Sequence, residues 1–92
     1  MRVKFVSYMA FPCAAKYPID QYQAEVTEAV NTAIIEGTKN LIKYDFQVDD
    51  ISHTTCNVDD ILYTTVMIVS SCEINSYEDI PSITNRLHSC FN

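Results

Sequence analysis

The sequence predicts an α+β fold, in which a three-stranded antiparallel sheet of order 1-3-2 carries two helices on one face, with the topology β-α-β-β-α. Two observations lead to this prediction. Two segments place apolar residues at helical spacing, and the stretches around them are rich in β-branched and aromatic residues. The last of the three predicted strands is apolar on both sides, which is typical of a central strand.

The first strand is predicted over residues 3–11, where bulky side chains stand on both sides. Phe5 points to one side of this strand, whereas Val6 and Tyr8 point to the other. A proline stands near each end of residues 12–18, and proline interrupts the hydrogen bonding of a strand. We therefore expect a loop in this stretch.

The first helix is predicted over residues 21–36. Asp20 is placed to cap the free amides of its first turn, and Gln23 completes a capping-box pattern. Gly37 tolerates the left-handed conformation that often ends a helix, so we expect the helix to stop there. The apolar stripe consists of Tyr22, Val26, Ala29, Val30, Ala33 and Ile34.

The second strand is predicted over residues 42–48, because apolar and polar residues alternate there and would form one buried and one wet face. The pair Asp49-Asp50 marks a bulge or a turn, and residues 51–56 continue the β-prone character. Residues 57–60 have the composition of a turn. These features together predict the first arm and the turn of a hairpin.

The third strand is predicted over residues 62–69, the most apolar stretch of the chain. The last helix is predicted over residues 80–91, with Asp79 as its cap and Pro81 in its first turn, where the missing amide costs little. The apolar stripe of this helix consists of Ile80, Ile83, Leu87 and Phe91. The third strand lies in the middle of the expected sheet, which gives a truncated ferredoxin-like arrangement.

Length and composition limit the kind of protein. The 92 residues suit one compact domain, residues 1–92, with an expected radius of gyration of about 12 Å. Gly37 is the only glycine, which excludes the phosphate-binding loops that need several. No apolar run is long enough to span a membrane, and the first residues fit a strand better than a signal peptide.

The thiols and imidazoles show no metal or catalytic motif. Spread through the chain without any C-x-x-C pair, the cysteines suit reduced, buried thiols in a cytoplasmic protein. His53 with Cys56, and His88 with Cys90, match no common zinc spacing. We therefore expect no metal, no cofactor and no catalytic residue. The four cysteines are Cys13, Cys56, Cys72 and Cys90.

Acidic residues are the strongest indication of a partner. Twelve Asp and Glu stand against six Lys and Arg, which gives a net charge of −6 and disfavours binding to free nucleic acid. Three glutamates fall on one face of the first helix, and the aspartates fall on the second strand and the hairpin turn. We expect these carboxylates to bind a basic protein surface. The candidate partner-binding residues are Glu25, Glu28, Glu36, Asp45, Asp49, Asp59 and Asp60.

Over its whole length the chain resembles the small anti-CRISPR proteins of bacteriophages, in particular inhibitors of the type I-F surveillance complex. The resemblance rests on size, surplus acid, the sheet-and-two-helix plan and carboxylates such as Glu28, Asp49 and Asp59. It implies a stoichiometric inhibitor, in the cytoplasm of the infected bacterium, that binds a Cas–RNA complex. Such inhibitors either occupy the positively charged groove that receives target DNA or block a subunit that must move.

Two other functions fit the same sequence. A small regulatory or structural subunit could oligomerise through the sheet face that the helices leave uncovered, because apolar residues such as Tyr8 must point there. Ordinary exposed apolar surface explains these residues equally well. A small enzyme that uses Cys56 or His53 is the other possibility, although 92 residues leave little room for a catalytic pocket.

Overall fold

The computed structural model describes residues 1–14 and 16–91 and confirms the predicted fold. The three strands form one antiparallel sheet of order β1-β3-β2, with β3 in the middle. A short 3₁₀ turn stands between the first helix and the second strand. The elements are β1 (Arg2–Cys13), α1 (Ile19–Asn40), the 3₁₀ turn (Ile42–Tyr44), β2 (Gln47–Val58), β3 (Ile61–Glu73) and α2 (Asp79–Phe91).

Both helices pack on the same face of the sheet. On β3 the alternate residues Val66, Ile68 and Cys72 are completely buried, because they point toward the helices. On the opposite face Val6 and Tyr8 of β1 are more than half exposed. The core therefore lies in a single layer between the sheet and the helices. The buried side chains of the helices are Tyr22, Val26, Val30 and Ala33 of α1, and Ile83, Leu87 and Phe91 of α2.

The molecule is more elongated than its length predicts. Its radius of gyration is 14.9 Å and its principal extents are 49 × 21 × 19 Å, instead of the compact shape expected from the sequence. The cause is strand length, because β1, β2 and β3 have 12, 12 and 13 residues. Strands of this length reach roughly 40 Å, well beyond the usual length of a strand in a small domain.

The predicted first part of the second strand is wrong. Residues 42–44 form a 3₁₀ turn, Asp45 adopts a left-handed conformation with φ 49°, and β2 begins only at Gln47. Leu41 and Tyr44 are buried and stand three residues apart, a spacing that suits a tight helical turn. Ile42, which the strand prediction placed inside, is 77% exposed.

Helix α1 is longer at both ends than predicted. Asp20 does not cap it, and Gly37 does not end it. Pro18 stands at the N-cap, and no side-chain hydrogen bond caps the helix, so Asp20 lies in the first turn instead. Gly37 lies inside the helix, three residues before its end at Asn40. It packs beside Phe46 and Phe91, whose ring atoms would lie 3.4 Å from an added Cβ.

The remaining boundaries lie close to the prediction. β1 continues through Pro12 to Cys13, which is tolerated because β1 is an edge strand. The pairing register of β2 shifts between Val48 and Asp50, so the expected bulge falls at Asp49. Asp59 and Asp60 both have positive φ and form the hairpin turn between β2 and β3, as a type I′ turn requires.

Candidate functional site

The described residues form an acidic groove between α1 and α2, with a volume of about 660 Å³. Met9 of β1, Ala33 of α1 and Cys90 of α2 contribute its apolar lining. Met9 belongs to the helix-facing side of β1, so the groove reaches down to the sheet between the two helices. Its other lining residues are Glu25, Glu28, Ala29, Thr32, Glu36, Asn40 and Ser89.

Three of the predicted site residues line this groove. Glu25, Glu28 and Glu36 share one side of α1 with Thr32, as their spacing predicted, because residues three or four apart are neighbours on a helix surface. No lysine or arginine stands among the described residues that line the groove. The groove therefore combines three carboxylates with an apolar floor.

The carboxylates of the groove differ in whether they accept a hydrogen bond from within the chain. The Tyr17 hydroxyl donates a hydrogen bond of 2.7 Å to Oε1 of Glu25, and this bond raises the pKa of Tyr17 above its ordinary value. Within residues 1–14 and 16–91, neither Glu28 nor Glu36 forms an ion pair or a side-chain hydrogen bond. These two carboxylates are available to a cation from another molecule.

Contacts between the helices hold the far end of the groove. The Asn40 side chain donates to the sulfur of Cys90 at 3.5 Å, and Arg86 of α2 donates to the main-chain oxygen of Asn40 at 3.0 Å. Both contacts link the last residue of α1 to α2. They fix the distance between the two helices at this end, so the groove is formed before any partner arrives.

Asp45 and Asp49 lie away from the groove and have cations of their own. Asp45 was expected on the wet face of a strand, but it stands between the 3₁₀ turn and β2, where its Oδ2 lies 3.2 Å from Nη1 of Arg2. Asp49 lies at the bulge of β2, and its Oδ2 is 3.8 Å from Nζ of Lys4. Much of the charge of this pair is balanced within the chain.

Asp59 and Asp60 occupy a third location, at the tip of the β2–β3 hairpin. Both side chains are exposed, and their positive φ values satisfy the turn. The seven predicted residues therefore fall in three separate places: the groove, the beginning of β2 and the hairpin tip. Only the groove brings several of them together on one concave surface.

Sequence reasoning missed the floor of the groove. Met9 lies within the predicted first strand and Cys90 within the predicted last helix, but nothing in the sequence indicated that these two side chains meet beside Glu28. Asn40 was placed beyond the end of the first helix, whereas it closes the groove. The one sequence feature that pointed to the floor was the position of Cys90, which directly precedes the last residue of the apolar stripe of α2.

His53 and Cys56 do not form a common site. His53 pairs with the inward-facing Val66, whereas Cys56 pairs with Tyr63 on the opposite side of the sheet. His53 lines a small cavity of about 200 Å³ with Tyr22 and Thr55. No group of three or more metal-ligating side chains is found in the part of the chain that the structure describes.

All four cysteines are free, but their exposure corrects one expectation. Cys13 and Cys72 are buried and Cys90 is half-buried, whereas Cys56 is exposed because it lies on the outer side of the edge strand β2. Burial raises the pKa of the Cys72 thiol above its ordinary value. Cys56 is therefore the thiol that solvent reaches most easily.

Comparison with protein-family models finds no match to this chain, and comparisons with curated proteins and with solved structures also find none. Within the described residues, neither α1 nor α2 is long and apolar enough to cross a membrane.

Proposed function

We propose that this chain is a stoichiometric protein inhibitor that binds the basic surface of a nucleic-acid-binding complex through its acidic groove. Following the resemblance to phage anti-CRISPR proteins, the partner is a Cas–RNA surveillance complex in the cytoplasm of an infected bacterium, and binding prevents that complex from holding target DNA. The observation that supports this proposal is the pair of unpaired carboxylates, Glu28 and Glu36, above an apolar floor.

The chemistry of the groove fits the side chains of lysine and arginine. These side chains have an apolar stem and a cationic head, so the stem covers apolar surface while the head reaches a carboxylate. The floor at Met9, Ala33 and Cys90 would accept the stems, and Glu28 and Glu36 would accept the heads. Bare nucleic acid is a poor ligand for this groove, since its phosphates repel the carboxylates.

Competition with DNA follows from the same charges. A protein holds DNA by placing lysines and arginines against phosphates, and carboxylates bind the same cationic heads. Exposed ion pairs contribute only about 0–1 kcal/mol each, so the carboxylates would mainly guide association and orientation. Burial of the floor would add a smaller part, and aromatic and other contacts around the groove would have to supply the rest of the affinity.

The proposal is tested with a purified type I-F Cas–RNA complex and titrated inhibitor. We expect a saturable complex that weakens as salt rises, together with loss of target DNA binding in a gel-shift assay. Glu28→Lys and Glu36→Lys reverse the charge at the groove, and we expect each to weaken binding by about tenfold or more, since each places a cation against a cation.

Glu78→Lys is the matched control, because it makes the same charge change at an exposed residue outside the groove. We expect it to bind almost as well as the wild type. If the Cas–RNA complex still holds its DNA at saturating inhibitor, inhibition by blocking DNA is wrong. If Glu78→Lys weakens binding as much as Glu28→Lys, net charge and not the groove is responsible.

A further inference from the structure

The face of the sheet opposite the helices contains a large uncharged region. None of residues 6–12, 52–58 and 61–69 is Asp, Glu, Lys or Arg, and these three stretches lie side by side in the sheet. We call their outward-facing side chains the open-face patch. Charged residues return only at its ends, with Lys4 and Asp50 at one end and the turn of Asp59 and Asp60 at the other.

The open-face patch is apolar as well as uncharged. Val6, Tyr8 and Val58 are each more than half exposed, and Tyr63 and Met67 of the central strand are only partly buried. Single exposed apolar side chains are ordinary on protein surfaces, but a contiguous patch of them indicates an interaction surface. Neither helix contributes to this face, because both pack on the other side.

We propose that two copies of this chain pack their open-face patches together and form a dimer. The reason for choosing a second copy is the distribution of charge. Each copy carries a net charge of −6, so two copies repel one another through most of their surface. The open-face patch is a broad surface without carboxylates, and it is therefore the face through which identical copies can approach.

The area of the patch suits a weak dimer. Three strands about 4.8 Å apart and roughly 27 Å of strand length give roughly 400 Å² of flat area per copy. Two copies would then cover roughly 800 Å² before the relief of the side chains is counted, close to the lower limit of about 1,000 Å² for specific interfaces. We therefore expect a dimer that dissociates on dilution.

The proposed dimer is a sandwich of two sheets with the helices outside. Sheets packed in this way lie about 10 Å apart, with their strands turned by about 30°. The acidic groove of each copy then faces outward and stays accessible. The dimer does not depend on the proposed inhibitory function, but together they would give one particle with two binding grooves.

The first test measures the mass of the wild-type chain by sedimentation velocity, from low micromolar to near-millimolar concentration. We expect a shift from monomer to dimer as concentration rises. Tyr8→Lys and Val58→Lys each place a charge in the patch at an exposed position of an edge strand. Each substitution should weaken the dimer by about tenfold or more, because the new charge must be buried against its counterpart.

Asn85→Lys adds the same charge to an exposed position of α2 and should leave the dimer unchanged. Circular dichroism verifies that each variant is folded. If the wild type remains a monomer at every concentration, the proposal is overturned. It is also overturned if both Tyr8→Lys and Val58→Lys dimerise like the wild type, because the contact must then lie elsewhere.

The exposed thiol of Cys56 provides a second test that needs no substitution in the wild type. Cys56 lies within the open-face patch, and the other three cysteines are buried or half-buried. Its rate of reaction with a thiol reagent should fall as protein concentration rises, because the dimer covers it. In Tyr8→Lys the rate should not depend on concentration. A wild-type rate that is the same at all concentrations contradicts the proposed interface.

Discussion

Ser70 is a polar residue in an apolar core. Its side chain lies on the helix-facing side of β3 with no exposed surface, and among the described residues its hydroxyl has no hydrogen-bond partner. Burial of an unpaired hydroxyl costs about 1–3 kcal/mol. We therefore predict that Ser70→Ala raises the free energy of unfolding, by about 1 kcal/mol, as measured by urea denaturation.

Thr64 gives the matched control for this prediction. It is also buried on β3, but its hydroxyl lies 2.8 Å from that of Tyr22, which donates to the main-chain oxygen of Phe11 at 2.5 Å. Thr64→Val keeps the shape and removes the bond to Tyr22, so we expect a loss of about 1 kcal/mol. If Ser70→Ala and Thr64→Val both destabilise the chain, the Ser70 hydroxyl has a partner after all.

At the level of secondary-structure elements, Gly37 has a different role from the one its residue type indicates. It lies within α1, its φ is not positive, and an added Cβ would meet Phe46 and Phe91 at 3.4 Å, an ordinary contact distance. Glycine inside a helix costs about 0.5–1 kcal/mol relative to alanine. We predict that Gly37→Ala stabilises the chain by about this amount, measured as a higher melting temperature.

A larger side chain at the same position separates helix propensity from packing. Gly37→Val places two more methyl groups than alanine against the rings of Phe46 and Phe91, and we expect it to lower the melting temperature. A lower melting temperature in Gly37→Ala would mean that these rings cannot move even slightly, and that glycine is required for close packing.

Sequence reasoning identifies the elements whose signal is local and repeated. The double-sided apolar pattern of β3 places this strand in the middle of the sheet, and the two apolar stripes locate the helices. The strand prediction is wrong for residues 42–46, because an apolar residue at every second position also fits a tight turn followed by a strand. Which of the two forms depends on Leu41 and Tyr44, whose burial is decided by the rest of the fold.

The candidate site also has one part that a local sequence pattern predicts and one part that depends on tertiary packing. The positions of Glu25, Glu28 and Glu36 on one side of a helix follow from helical spacing alone. The floor depends on where α2 packs against β1 and α1, and no pattern within α2 gives that position. Sequence reasoning therefore finds one wall of the groove, whereas Met9 and Cys90 require the tertiary structure.

At the level of the whole molecule, the two faces differ in charge. The helix side carries the acidic groove, and the sheet side carries the open-face patch without a charged residue. The four ion pairs of the described residues involve Arg2, Lys4 or the N-terminal amine of Met1, all at one end of β1. None of these ion pairs involves a carboxylate of the groove, so Glu28 and Glu36 have no cation partner among the described residues.

Because the carboxylates of the groove lack ion pairs, neutralising them should have opposite effects on stability and on partner binding. Glu28 and Glu36 have no ion pair within the described residues, and Glu36 lies near the negative end of α1. Their charges therefore disfavour folding, by a few tenths of a kcal/mol for a charge at the wrong end of a helix. We predict that Glu28→Gln combined with Glu36→Gln raises the melting temperature at low salt and weakens partner binding.

Asp49→Asn is the control, because its carboxylate is paired with Lys4 at 3.8 Å and should not gain stability when neutralised. Added salt provides an independent measure, since a Debye length of about 10 Å at 0.1 M screens most of the repulsion in the groove. Salt should therefore raise the melting temperature of the wild type more than that of the double variant. If neutralising Glu28 and Glu36 lowers the melting temperature, these carboxylates stabilise the fold, and the case for reserving them for a partner fails.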